Sequence, residues 1–298
     1  MKQLVGVKEQ RDIEALIAKI LRDLDNPEPP LRLELVRQLL TLDLKYYSST
    51  DVTPLAEFAH RIKVAGKQLV ARPSLILDVV KKAKLSGLWL PDDRKIFIDK
   101  EVPTAKHRWI EAHEIAHSVV PWHSDFLMGD NEFTLDPVCD AIIEAEANFG
   151  AGRLIFFGDR FPNEARDYAP TFDSVKSLKQ RYGNTLTSTF WRFVEDRDPN
   201  AAVFGLISQH PHHADIGQGP NGEPVHNFVT SVGFRRRFPN VTPLDAYKLV
   251  CRNASRKRSG PVVCGADMLI DEAGSQVRFV LDGFSNTYQL LTYGHCTG

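Results

Sequence analysis

The sequence predicts an α+β chain, with helices dominating the first two thirds and strands the last third. Three observations carry this. An apolar helical run over 104–120 contains His113-Glu114-Ile115-Ala116-His117, and a second over 137–157 contains Glu144-Ala145-Glu146-Ala147-Asn148. Short alternating segments at 42–46, 87–90 and 95–98 read as strands. Beyond residue 200, strands are expected at 201–208, 227–233, 262–270, 276–281 and 287–293.

Taken in order, residues 1–41 predict helix on both sides of a break at Asn26-Pro27-Glu28-Pro29-Pro30. Ile13, Leu16, Ile17, Ile20, Leu21 and Leu24 supply the apolar face of the first helix. Helical segments around 54–65 and 74–84 follow the strand at 42–46. Pro91-Asp92-Asp93-Arg94 then turns the next two strands into a hairpin, whose edge is suited to pairing with an extended peptide. Thr104 is an N-cap for the 104–120 helix, Pro121 stops it, and no Pro or Gly interrupts it. After a loop at 122–136, the 137–157 helix is expected to return antiparallel. The segments 174–181 and 186–194 flank a turn at Tyr182-Gly183-Asn184 and have a helix-turn-helix outline. Phe190, Trp191 and Phe193 make the second of them a packing element, expected against the two preceding long helices. One helix is expected near 243–252, and Asp271-Glu272-Ala273-Gly274-Ser275 reads as a hairpin loop. The chain therefore divides into a helical segment at 1–41, a region at 42–196 and an α+β domain at 197–298.

The chemistry sits on the two apolar helices. Residues at i and i+4 share a helix face, so His113 and His117 can grip one tetrahedral Zn²⁺. Glu114 then lies within reach of a proton on a metal-bound water, the arrangement of metal-assisted peptide hydrolysis. A third ligand is required, and Glu144 supplies it. Asn148 shares the Glu144 face and is placed to orient His113 or His117 through the free ring N–H. Glu146 lies about 200° around the helix from Glu144 and is expected to meet solvent or a salt bridge, which makes it the lesser ligand choice. His123 and Tyr168 are candidate donors to a developing oxyanion. Gln209-His210-Pro211-His212-His213 has no carboxylate or cysteine at ligand spacing and reads as a surface loop.

Bulk properties exclude several classes. The 298 residues are 43% hydrophobic, enough for a real core. No run approaches 18 apolar residues, so no membrane span is expected. The charged, amphipathic residues 1–25 lack the apolar core of a signal peptide, and a cytoplasmic location is expected. Cys139, Cys251, Cys264 and Cys296 are scattered without C-x-x-C spacing and read as reduced thiols. A net charge of −1 argues against direct nucleic-acid binding as the main role. Arg235-Arg236-Arg237 and the basic stretch 252–258 read as solvated charge or contacts to acidic groups.

Several runs carry a family resemblance. Leu88-Trp89-Leu90-Pro91, Ile96-Phe97-Ile98-Asp99, Arg108-Trp109-Ile110-Glu111-Ala112 with the H-E-x-x-H, and Glu144-Ala145-Glu146-Ala147-Asn148-Phe149 resemble the ImmA/IrrE family of bacterial metallopeptidases. Leu178-Lys179-Gln180-Arg181-Tyr182-Gly183-Asn184 with 186–194 is similar to that family's downstream helix pair. The likeness covers roughly 42–194. In Asn148-Phe149-Gly150-Ala151 the phenylalanine is displaced by one position from the family pattern. The resemblance implies a zincin-like metallopeptidase domain with Zn²⁺ on His113, His117 and Glu144. It further implies a narrow-specificity endopeptidase acting on a regulatory protein such as a helix-turn-helix repressor, and a GAF-like sensing domain near the C-terminus. The alternative is a non-enzymatic regulator that binds a repressor or small ligand on a retained metal scaffold. Glu114 separates the two, because a binding-only descendant has no use for a general base.

Overall fold

The computed structural model describes residues 5–48, 86–90, 94–123, 137–218 and 222–297. The helices expected at 54–65 and 74–84, the turn residues Pro91 to Asp93 and most of the 122–136 loop lie outside the described residues. The fold is α+β, and the chain forms two compact units, Met1–Gly158 and Asp159–Gly298.

In the first unit, α1 (Val7–Asp23) buries Ile13, Ile17, Ile20 and Leu21, one apolar stripe at helical spacing. Asp25 and Asn26 turn the chain with positive φ before the short α2 (Leu33–Leu40). Three strands follow: β1 (Asp43–Tyr47), β2 (Gly87–Leu90) and β3 (Lys95–Asp99). The order is β1-β3-β2, with β1 parallel and β2 antiparallel to the central strand. Ile96, Phe97 and Ile98 are all buried, as a strand covered on both faces requires. Helix α3 (Thr104–Val119) packs against β2 and β3, and α4 (Pro137–Ile155) packs along α3 and α1. Gly150 permits the approach of α4. A Cβ there would sit 3.0 Å from the Ala116 Cβ and 3.3 Å from the Ile13 Cγ2. Arg37 Nε donates to Glu111 Oε1 at 2.7 Å, and Arg108 donates to the Leu31 carbonyl at 2.8 Å, tying α2 and its lead-in to α3.

The second unit is built on a five-stranded antiparallel sheet, ordered β5-β4-β8-β7-β6. Its strands are β4 (Val203–Ser208), β5 (Val225–Thr230), β6 (Gly260–Ile270), β7 (Gln276–Ser285) and β8 (Leu290–Cys296). Three helices precede the sheet in sequence: α5 (Arg160–Arg166), α6 (Phe172–Tyr182) and α7 (Leu186–Asp196). Phe190 and Phe193, expected against the long helices of the first unit, find their partners within their own unit. Phe172 stacks on Phe190 at 5.2 Å, and Phe193 meets Tyr293 of β8 at 5.6 Å. The opposite sheet face carries α8 (Val232–Arg237) and α9 (Pro243–Asn253), through Phe204, Phe234, Phe238 and Phe279.

The strand expected at 227–233 ends at Thr230, because Ser231 accepts from the Phe234 amide and caps α8. A capping box on Thr242 and Asp245 with Pro243 starts α9. The histidine segment is a clasp. His210, His212 and His213 donate through Nε2 to the carbonyls of Lys257, Ala254 and Arg256 at 2.9, 3.2 and 2.8 Å. Much of the basic charge is paired locally: Arg252 with Asp267, Arg237 with Asp271 and Arg258 with Asp215. Among the described residues, no helix is long and apolar enough to cross a membrane.

Glu164 is the polar centre of α5 and α6. It accepts from Arg160 at 2.8 Å, from Arg181 at 2.6 and 3.0 Å, and from the hydroxyl of the buried Tyr182 at 2.9 Å. The Arg181 guanidinium, helped by Arg160 and Tyr182, holds the carboxyl at about 2. A carboxyl with a lowered folded-state value stabilises the fold fully above its ordinary value of 4.5, and loses that contribution as pH falls toward 2. Glu164→Gln is therefore expected to destabilise the full chain by about 1–3 kcal/mol at pH 7 in urea unfolding. The difference from wild type should shrink as pH falls from 4.5 toward 2; a gap that is constant across that range contradicts the assignment.

Candidate metal centre

Helix α3 is continuous through the H-E-x-x-H because its other residues pack. Ile110, Ala112, Ile115 and Ala116 are buried against its neighbours, which leaves the face of His113 and His117 for α4. The Nε2 atoms of the two histidines lie 3.1 Å apart. Glu144 of α4 brings Oε2 to 3.3 Å from His113 Nε2 and Oε1 to 3.4 Å from His117 Nε2. Among the described residues, these three form a group able to hold a metal ion, with ligand atoms all within 4.8 Å of one another. The Glu144 side chain is half exposed while the histidines are largely covered, so the group opens toward solvent on its carboxylate side. The two imidazoles hold the Glu144 carboxyl far below the usual carboxylate range.

Asn148, one turn beyond Glu144, has its Oδ1 3.2 Å from His113 Nδ1. An amide oxygen only accepts, so His113 carries a proton on Nδ1 and turns Nε2 toward Glu144.

Glu114 is buried and points toward the strand layer, where the Trp89 backbone N–H donates to it. Burial pushes its carboxyl up to about 7, against the opposing pull of His113 and of that N–H. A group near 7 is well matched to proton transfer at neutral pH. Gly87 leaves the room: a Cβ there would lie 2.4 Å from Ile110 Cγ2 and 2.6 Å from Glu114 Oε1. A larger residue there would have to displace the Ile110 and Glu114 side chains.

His123 is fully buried, its Nδ1 3.0 Å from His117 Nδ1 and its Nε2 2.9 Å from Glu146 Oε2. Both ring nitrogens are thereby engaged. Burial, with the neighbouring His117, drives His123 down to about 3, so it carries a single ring proton at neutral pH. Tyr168 belongs to the second unit, where its carbonyl accepts two hydrogen bonds from Arg197. Glu146, expected to face solvent or a salt bridge, is buried and also accepts from Trp122 Nε1 at 2.6 Å. Trp122 and Glu146 are the participants that helical phase missed. The available signal was a second carboxylate on an otherwise apolar helix, with Trp122-His123 just past the stop at Pro121.

No family model matches the chain. A curated protein, the radiation response metalloprotease IrrE of Deinococcus deserti, is 23% identical over 174 residues. The match takes in 57% of this chain and 60% of that protein's length. Among solved structures, a Mycobacterium tuberculosis transcriptional regulator is similar with a TM-score of 0.51 and 10% identity, over 96% of this chain and 87% of that one. At that identity the likeness describes the fold alone. A His-His-Glu group able to hold a metal thus stands in a chain with partial similarity to a metalloprotease.

Proposed function

We propose that this chain is a zinc-dependent endopeptidase of narrow specificity, of the ImmA/IrrE type, that cleaves a regulatory protein such as a helix-turn-helix repressor. The observation that carries the reading is the convergence of His113, His117 and Glu144 with a buried Glu114 directly beside them. The donor set fits zinc. A tetrahedral ion with ligands at about 2.0–2.1 Å has donor–donor edges of about 3.3–3.4 Å. The two imidazole nitrogens stand 3.1 Å apart, and the Glu144 carboxylate brings one oxygen to 3.3 Å from His113 and the other to 3.4 Å from His117.

In this reading His113, His117 and Glu144 hold the ion, with Asn148 fixing the His113 ring. When bound, zinc supplies Lewis acidity and lowers the pKa of water. Glu114 takes the proton of the attacking water at its carboxylate and delivers it to the leaving amine nitrogen. The helices and three-stranded sheet of the first unit support a zincin-like assignment. The five-stranded sheet with helices on both faces supports a GAF-like sensory role for 197–298, with the helices of 159–196 joining that body. The partner is a protein, in a cytoplasmic setting. Glu114 favours the enzyme over a binding-only regulator, since burying a carboxylate beside the ligands is costly without a use for it.

The test compares new protein N-termini in cells producing wild type with those in cells producing Glu114→Gln. Internal cleavage of one or a few regulators, seen with wild type alone, is the expected result. Identical profiles would exclude a proteolytic role.

A further inference from the structure

We infer that Glu146 and His123 form a positioning relay that sets the tautomer of His117 and so presents its Nε2 lone pair to the metal. The inference rests on the metal-site reading above and gives His123 a role other than oxyanion donor.

The relay is a chain of three contacts, two of them buried and the one at Trp122 part-buried. Trp122 Nε1 meets Glu146 Oε2 at 2.6 Å, that same oxygen meets His123 Nε2 at 2.9 Å, and His123 Nδ1 meets His117 Nδ1 at 3.0 Å. An indole N–H can only donate, so Trp122 holds Glu146 as an acceptor. Glu146 then accepts a hydrogen bond from the Nε2–H of His123, which leaves His123 Nδ1 with a lone pair. That lone pair can be satisfied only if His117 carries its proton on Nδ1. The His117 proton is thereby kept off Nε2, the atom that faces Glu144 and His113. Asn148 does the same for His113 in one step. Both ligand rings are locked by outer partners, one by an amide and one by an imidazole backed by a carboxylate. Such outer partners fix ring orientation and raise ligand basicity.

Glu146→Leu tests the direction of the chain by removing the oxygen that faces both Trp122 and His123 while keeping bulk at that position. Nothing then holds the His123 proton on Nε2. That proton can pass to Nδ1, which drives the His117 proton to Nε2, against the metal. Zinc affinity, measured by competition with a chromophoric chelator, is expected to fall about 10–100-fold. Trp122→Phe removes one contact to Glu146 without reversing the chain, and its affinity is expected to stay near wild type. Equal affinity in wild type and folded Glu146→Leu would overturn the relay while leaving the metal site intact. An equal loss in Trp122→Phe would also overturn it, by assigning the effect to packing around Glu146.

Zinc-loaded wild type gives a readout that needs no variant. Long-range ¹⁵N–¹H spectra should show His117 protonated at Nδ1 and His123 at Nε2; a proton on His123 Nδ1 refutes the inference. Wild type that binds no zinc would instead remove the metal-site reading, and the relay with it.

Discussion

Glu114→Gln is expected to retain zinc and lose about 10²–10⁴-fold in turnover, the range that a positioned general base contributes. The substitution is nearly isosteric, and the amide oxygen can still accept from the Trp89 backbone N–H that holds the carboxylate now. The tight seat between Gly87 and Ile110 therefore accommodates it. Only proton acceptance is lost. The measurement is the cleavage rate on a substrate identified by its new N-terminus, with zinc content determined on the same sample. Wild-type turnover in this variant would remove Glu114 from the chemistry.

Glu144→Ala is expected to abolish stoichiometric zinc binding. The alanine removes the one anionic ligand of the three and leaves only the two imidazoles. The loss should exceed the roughly 10–100-fold expected from disturbing an outer partner such as Glu146. Competition titrations on both variants place them on one scale. Tighter zinc binding in Glu144→Ala than in Glu146→Ala would exchange the roles of the two glutamates.

The parts of the site that the sequence made legible are those that depend on helix geometry alone. His113 and His117 at i and i+4, and Glu144 with Asn148 at the same spacing, need only a helix to share a face. The structure brings these four together. Glu146 shows where that argument stops. Helical phase gives the direction in which a side chain leaves the axis but not what another segment delivers there. In this case the helical residues 121–123 bring Trp122 and His123 against α4.

The second unit repeats the lesson. Phe190 and Phe193 are evidently core residues, yet amphipathicity does not say which neighbour they bury against, and the sheet of their own unit supplies it. At 231–233 a local signal overrode the strand pattern, because the Ser231 hydroxyl could cap a helix. The α+β character itself followed from the change of period along the chain, since alternation and helical spacing survive any tertiary arrangement.

The central claim is that His113, His117 and Glu144 hold a zinc ion. Elemental mass spectrometry on purified wild type and His117→Ala tests it most directly. The account predicts close to one zinc per chain in wild type and little in the variant. Metal-free protein in both, after zinc has been supplied, would contradict it and leave a binding scaffold as the better description of this chain.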